Sequence, residues 1–301
     1  MTDPMILIDA CGTCLNDAVL LASPADEWFD ETGRVSPKAR TLFFRLNGGA
    51  PKHFATVPFP VRKAWSSRHA TYFSADSDYL YVTEGPDRSR PRRETVVAGE
   101  PTDWGVWGIS GHSAAGDTVF LGGRDCVYLR RAGVWERFRA PDGSGRINRV
   151  HGLRPDELYM GSRIGLLRFD GATLSSIVTP DEQEIDDVYV LSEEELLATT
   201  GSDLFRWSDT AGWTEIDTSF SRHGNFASLS GKAFVADWRD GVFEIEGSTT
   251  RRVAALECRS LLELTDGIIA LSRLTSRQHA FFDGSRWREL TLPECRRNGG
   301  P

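Results

Sequence analysis

A short apolar segment closed by Gly or by a polar break returns along this chain at a near-constant interval, and that interval limits the fold more than any other feature. The segments are "VLLAS" (19–23), "YLYVTEG" (79–85), "TVFLGG" (118–123), "ELYMGS" (157–162), "ELLATTG" (195–201), "KAFVADW" (232–238) and "GIIALSR" (267–273). Centred on Leu20, Tyr81, Phe120, Tyr159, Leu197, Phe234 and Ile269, they step by 61, 39, 39, 38, 37 and 35 residues. The excess in the first step is assigned to "PADEWFDETGRVSPKAR" (24–40), a polar stretch with Pro and Gly that reads as a loop insertion.

Each unit holds more than one strand. An apolar run precedes each centre ("MILIDA", "ATYF", "VWGIS", "INRV", "DDVYVL", "FASL", "SLLEL"), and two more follow it around a turn such as Asp170-Gly171 or Asp283-Gly284. Asp-Gly between apolar runs marks a tight hairpin, because Gly takes the positive φ such turns need. Four short antiparallel strands repeated every ~35–45 residues is the signature of a β-propeller. The sequence thus predicts an all-β, single-domain wheel of seven blades, at about 5–57, 65–104, 105–140, 145–179, 184–218, 224–255 and 258–292. Residues 293–301 are expected to form a disordered tail. The second unit fits worst: its third and fourth strands must come from "PRRETVVAGEPTDW" (91–104), which gives no clear register. A four-stranded sheet has two faces to cover, and only neighbouring blades can cover them. Trp135, Trp207, Trp213, Phe169, Phe243 and Trp287 are therefore expected between blades, not in a binding stripe.

In general shape the chain resembles the seven-bladed propeller superfamily, kin to the WD-repeat, kelch and YVTN-type repeats. It lacks the Gly-His and Trp-Asp pattern of the first, the paired glycines and aromatics of the second and the signature string of the third. Such propellers usually close by one blade borrowing a strand from the other terminus. Here the first unit starts with an innermost strand and the last ends with an outermost one, which argues against a borrowed strand.

Propeller topology sorts charges between two faces. Turns joining second and third strands carry Arg124, Arg163, Arg239 and Arg273 at nearly the same station. With Trp238 and Trp107 these are the candidate partner-binding residues. The opposite face collects Asp76, Asp78, Asp117, Asp156, Glu157, Glu193, Glu194, Glu195 and Asp266, and its outer turns add Asp170, Asp209, Glu246 and Asp283. Opposed acidic and arginine-dotted faces would each attract a partner of opposite sign. Against this, turns favour Asp for conformational reasons, and each arginine has a nearby carboxylate such as Asp125 or Asp240.

Other signals exclude more than they assign. The formal charge of −8 argues against nonspecific nucleic-acid binding, and the one basic cluster, "DRSRPRRE" (87–94), reads as a solvated loop. No stretch approaches a membrane span and the start has no basic signal-peptide region, so a cytoplasmic protein is expected. Five irregularly spaced cysteines suit a reducing compartment. Phosphate-loop, zinc-protease and nucleophile-elbow motifs are missing from the sequence.

Two metal sets are conceivable. Cys11 and Cys14, in "CGTC", would need Cys258 and Cys295 to complete a zinc site at the closure, and the spacing favours plain buried cysteines. His112, His151 and His69 approach the channel, where Asp9, Asp186 and Asp187 also fall. Resemblance to propeller hydrolases and lactonases implies calcium held by Glu, Asn and Asp from several blades. Asn148, Asn225, Asp9 and Asp187 are the matching positions.

The sequence therefore predicts a non-enzymatic, monomeric, protein-binding propeller without a cofactor. Its narrower form is a bacterial immunity-type inhibitor of an effector or toxin with a basic groove. The alternative is a metal-dependent hydrolase or lyase with calcium or zinc in the central channel.

Overall fold

Tight turns fix the strands in register. At Asp170, the side chain accepts hydrogen bonds from the backbone N–H of Ala172 (3.0 Å) and Thr173 (2.8 Å), and Gly171 takes φ 93° between them. Asp283 does the same for Ser285 and Arg286, both at 3.0 Å, around Gly284 at φ 89°. Each turn hands the chain to the next antiparallel strand.

The computed structural model describes residues 2–3, 5–47, 50–67, 70–75, 79–84, 91–94, 96, 108–112, 118–180, 183–218, 223–272, 279–292 and 295–296. Among these, the strands form seven four-stranded antiparallel sheets, each from consecutive segments, and one two-stranded pair. This is a seven-bladed β-propeller. The innermost strands are Met5–Cys11, Val61–Ser66, Gly108–His112, Val150–Arg154, Asp187–Ser192, His223–Leu229 and Cys258–Leu264.

The core is divided as a wheel requires. Seven buried clusters lie one between each pair of neighbouring blades. Strand alternation feeds two clusters at once: Leu7 and Leu20 face blade seven, whereas Ile6, Ile8 and Leu21 face blade two. The expected inter-blade aromatics sit in these clusters: Phe169, Phe243 and Trp207 in their interiors, Trp135, Trp213 and Trp287 against their edges.

Among the described residues, closure uses no borrowed strand. Blade one meets blade seven through Leu7, Leu20, Phe44, Leu264, Ile269 and Phe281. Thr265 donates from both its N–H and its hydroxyl to the Thr13 carbonyl at 2.8 Å, and Leu15 N–H donates to Asp266 at 2.7 Å. Thr2–Asp3 pairs antiparallel with Cys295–Arg296, so that part of the expected tail is a strand tying the two ends together.

Blade two departs from expectation. Its strands are Val61–Ser66, Ala70–Ala75, Tyr79–Glu84 and Arg92–Glu94. The "YLYV" run is thus the third strand, not the second, and the blade begins near residue 61, not 65. The first strand, "VRKAWS", hides because three polar residues interrupt its apolar pattern. A misplaced centre, together with the insertion, produced the long first step.

Candidate functional site

The innermost strands are irregular where they begin. Pairing with the second strand slips between Leu7 and Asp9, Val61 and Lys63, His223 and Phe226, and Cys258 and Ser260. Such bulges re-aim side chains, and they gather beside functional sites. Blades four and five slip at the far end of their innermost strands, whereas blades one, two, six and seven slip toward the end of the channel where chain segments enter from the preceding blade. That end opens into a cavity of about 680 Å³.

Its wall is charged. Asp9, Lys63, Arg149, Asp187, Asn225 and Arg259 come from six innermost strands or the residues just before them, and Arg146, Asn148 and Asp186 from the approaching loops. Innermost strands are sheet edges with unpaired backbone groups, and several of these side chains satisfy the neighbouring blade. Asp9 accepts from Ala64 N–H at 3.0 Å, and Arg259 donates to the carbonyls of Leu7 (3.1 Å) and Ile8. The Asn225 side chain donates to the Leu261 carbonyl and accepts from the Leu261 N–H. Asn148 donates to the Ile185 carbonyl at 3.3 Å and accepts from Arg146.

Burial sets the protonation behaviour. Desolvation pushes Asp187 up to about 6, opposed by the charges of Arg149 and Lys63 and by the Val188 N–H. Asp186 is also raised, by burial and by Glu184. Arg149 approaches Asp187 at 3.6 Å, an ion pair too long for a hydrogen bond. Burial lowers Arg259, and its Nε has no hydrogen-bond partner.

Two aromatic rings stand at the mouth. Phe29 and Trp238, each 40% exposed, are the exposed aromatics among the described residues, and both line this one cavity. Neither position is accidental. Buried Trp28 anchors the insertion between blades one and two, and Asp30 caps it by accepting from the N–H groups of Thr32 (2.8 Å) and Arg34 (3.0 Å). Buried Asp237 accepts from Arg239 N–H at 2.8 Å and Asp240 N–H at 2.6 Å, a turn that presents Trp238 outward.

The predicted arginines share this face. Arg163 and Arg239 are exposed, and among the described residues neither side chain has an ion pair. Arg124, 75% exposed, reaches Asp125 only at 4.0 Å. Trp238 joins the cavity itself, whereas Arg273 and Trp107 lie outside the described residues.

The opposite face differs from this one. Its acids are largely engaged: Glu157 receives Arg154 (2.8 Å) and Arg168 (2.6 Å), Glu195 receives Arg206 (2.8 Å), Glu246 receives Arg251 (2.6 Å), and Asp283 receives Arg288 (2.6 Å). Asp266 serves the closure. Asp76, Asp78 and Asp117 lie outside the described residues.

The metal candidates do not assemble. Among the described residues no group of three or more His, Cys, Asp or Glu is placed to hold an ion. Cys11, Cys126 and Cys258 are buried thiols, and Cys14 is partly buried. His151 accepts from Val190 N–H at 3.0 Å and packs tilted against Tyr189, with ring centroids 4.2 Å apart, a structural role. Side chains of His112 and Cys295, and all of His69, lie outside the described residues. Asp9, Asn148, Asp187 and Asn225 do share the cavity, but both amide oxygens are already accepting hydrogen bonds and four cations line the same wall. Calcium asks for six to eight oxygens, and the set does not fit it.

Sequence reasoning missed Lys63, Arg149, Arg259 and Phe29. Aligning units on the innermost strand would have shown a polar residue recurring at its start; alignment on the second strand hid it. Trp28-Phe29, an aromatic pair inside a polar insertion, was the other available signal.

The fold is common to many solved structures. Over 90% of this chain and 91% of the other, it matches the WD40 propeller domain of Doa1 with TM-score 0.69 at 9% identity. A catalytically inactive virginiamycin B lyase from Staphylococcus aureus, solved with quinupristin, matches over 88% and 91% with TM-score 0.67, also at 9%. Sqt1 from Saccharomyces cerevisiae matches over 97% and 86% with TM-score 0.65 at 11%. The likeness is one of fold. No protein-family model and no curated protein matches the chain in sequence.

Proposed function

We propose that this propeller is a non-enzymatic protein-binding module that recognises its partner with the cavity-bearing face. One observation carries the reading: both exposed aromatics of the described chain meet at one charged cavity, on the face where Arg163 and Arg239 are exposed and make no ion pair among the described residues. Trp and Arg dominate binding hot spots, since each buries much surface and offers a directed polar group. A rigid wheel holds such loops in place while letting them vary.

The narrower reading is a cytosolic inhibitor that blocks an effector or toxin, in the manner of an immunity protein. The net charge of −8 favours a partner that is basic overall. The contact patch has the opposite sign, so the group entering the cavity is acidic. A channel hydrolase or lyase draws no support from the site, because Asp9 and both amides are committed to the scaffold and, among the described residues, no three His, Cys, Asp or Glu gather to hold a metal.

Affinity capture from the native host tests this reading, using the wild-type chain beside a Phe29→Ala/Trp238→Ala variant. A stoichiometric protein held by the wild type and lost by the variant is expected. Absence of any stoichiometric protein would sink the reading, and equal retention by the variant would remove the face.

A further inference from the structure

We propose that the central cavity is a subsite for a single carboxylate carried on an aromatic or apolar body. Its source rests on the protein-binding reading, which makes it an acidic side chain of the partner's docking segment; its chemistry stands on the cavity alone.

The lining sorts into spent and unspent charges. Arg259 braces the carbonyls of Leu7 and Ile8, and Arg146 donates to Asn148. Among the described residues, Lys63 makes no ion pair and Arg149 makes no hydrogen bond, only the 3.6 Å approach of its Nε to Asp187. Arg149 stands 3.6 Å from Asp187 and Lys63 lines the same cavity, so blades two and four each bring a cation to it. Asp9 is held by Ala64 N–H, and Asp187 by Val188 N–H.

Four cations against three carboxylates leave the lining a formal charge of +1. A carboxylate neutralises that; a phosphate dianion overshoots it. Arg149 keeps its terminal N–H groups for a planar, two-oxygen acceptor, which a carboxylate is. Phe29 and Trp238 at the mouth cover an apolar body behind the head group. The volume of about 680 Å³ takes a side chain with its flanking backbone and excludes a folded element.

Asp187 makes the subsite pH-dependent. It faces Lys63 and Arg149 across the cavity, with Asp186 beside it in sequence and the N–H groups of Val188 and Phe226 against it. Protonating it near pH 6 removes a negative charge that competes with the ligand for Arg149, so affinity rises as pH falls from 7.5 to 5.5.

Titration calorimetry on the full chain tests this with three probes: 3-phenylpropionate, an acetylated and amidated Phe-Glu-Phe peptide, and its Phe-Gln-Phe counterpart. The Glu peptide is expected to bind about tenfold more tightly than the Gln peptide. Lys63→Gln and Arg149→Gln are each expected to weaken it by about tenfold, with Lys63→Gln melting normally, and Arg149→Lys to restore part of the loss. Asp187→Asn is expected to abolish the pH dependence. Equal binding of the Glu and Gln peptides, indifference to both Lys63→Gln and Arg149→Gln, or inorganic phosphate binding more tightly than 3-phenylpropionate would overturn the subsite. Binding of 3-phenylpropionate alone, sensitive to both variants, keeps the subsite and removes the protein source. A captured partner with no carboxylate binding does the reverse.

Discussion

Aspartates at the cavity and aspartates at the outer turns of this propeller behave in opposite ways. Asp187 is raised to about 6 and Asp186 is also raised, because burial strips water from the charged form. Asp170 and Asp283 are held below the usual carboxylate range, Asp170 chiefly by backbone N–H groups and Asp283 chiefly by the Ser285 hydroxyl. The turn acids serve folding: each organises a hairpin while remaining in water. A buried acid with a raised value costs stability at neutral pH, and such costs concentrate where a site needs a particular field. Counting acids by face therefore misleads. What differs is which acids are satisfied locally and which are held against their preference.

The sharpest way to break this comparison is Asp187→Asn. The folded-state value of about 6 lies above the unfolded 3.8, so Asp187 weakens the fold as pH rises from about 4 to 6 and does so fully above 6. The substitution is expected to raise unfolding free energy by up to ~3 kcal/mol at pH 7.5, and the gain should vanish below about pH 4. Denaturant melts across that range check it; no gain at pH 7.5 would mean the cavity holds Asp187 without strain.

Next in size is the aromatic mouth. Phe29→Ala with Trp238→Ala is expected to cost ~2 kcal/mol or more of partner affinity with no change in melting temperature, since both rings are already exposed. A fall in melting temperature would return the rings to the scaffold. Glu157→Ala works on the other face and should invert the result. It strands Arg168 and leaves Arg154 to Asp156 and Glu193, so ~1–2 kcal/mol of stability should go while partner binding stays. Smallest is Asp283→Asn. With its folded value depressed, Asp283 contributes stability above the unfolded 3.8 that is lost as pH falls through the lower folded value. The variant should flatten the acid limb of the stability profile, and an unchanged limb would deny the turn its role.

Legibility followed the range of the interactions. The hairpins at Asp170-Gly171 and Asp283-Gly284 could be read because a turn's chemistry lies within four residues. Inter-blade aromatics could be read because a sheet with two apolar faces admits few arrangements. Blade two was misread because Arg62 and Lys63 break the alternation of its first strand, and that strand is held by Ala64 N–H reaching Asp9 on blade one, 55 residues away. The arginine face was visible as a station in the repeat. The cavity within it was not, since Lys63, Arg149, Asp187 and Arg259 carry no motif and meet only around the ring.

By itself the sequence determined the wheel: its period, its seven sheets and the turns that set their register all follow from local alternation and from the need to hide two apolar faces. Only the tertiary structure decided which charges are spent. Whether Arg149 approaches Asp187, or Lys63 shares its cavity, depends on side chains that closure of the ring brings together. Electrostatic energy falls with distance in space, not along the chain, so that information first exists when the ring is shut.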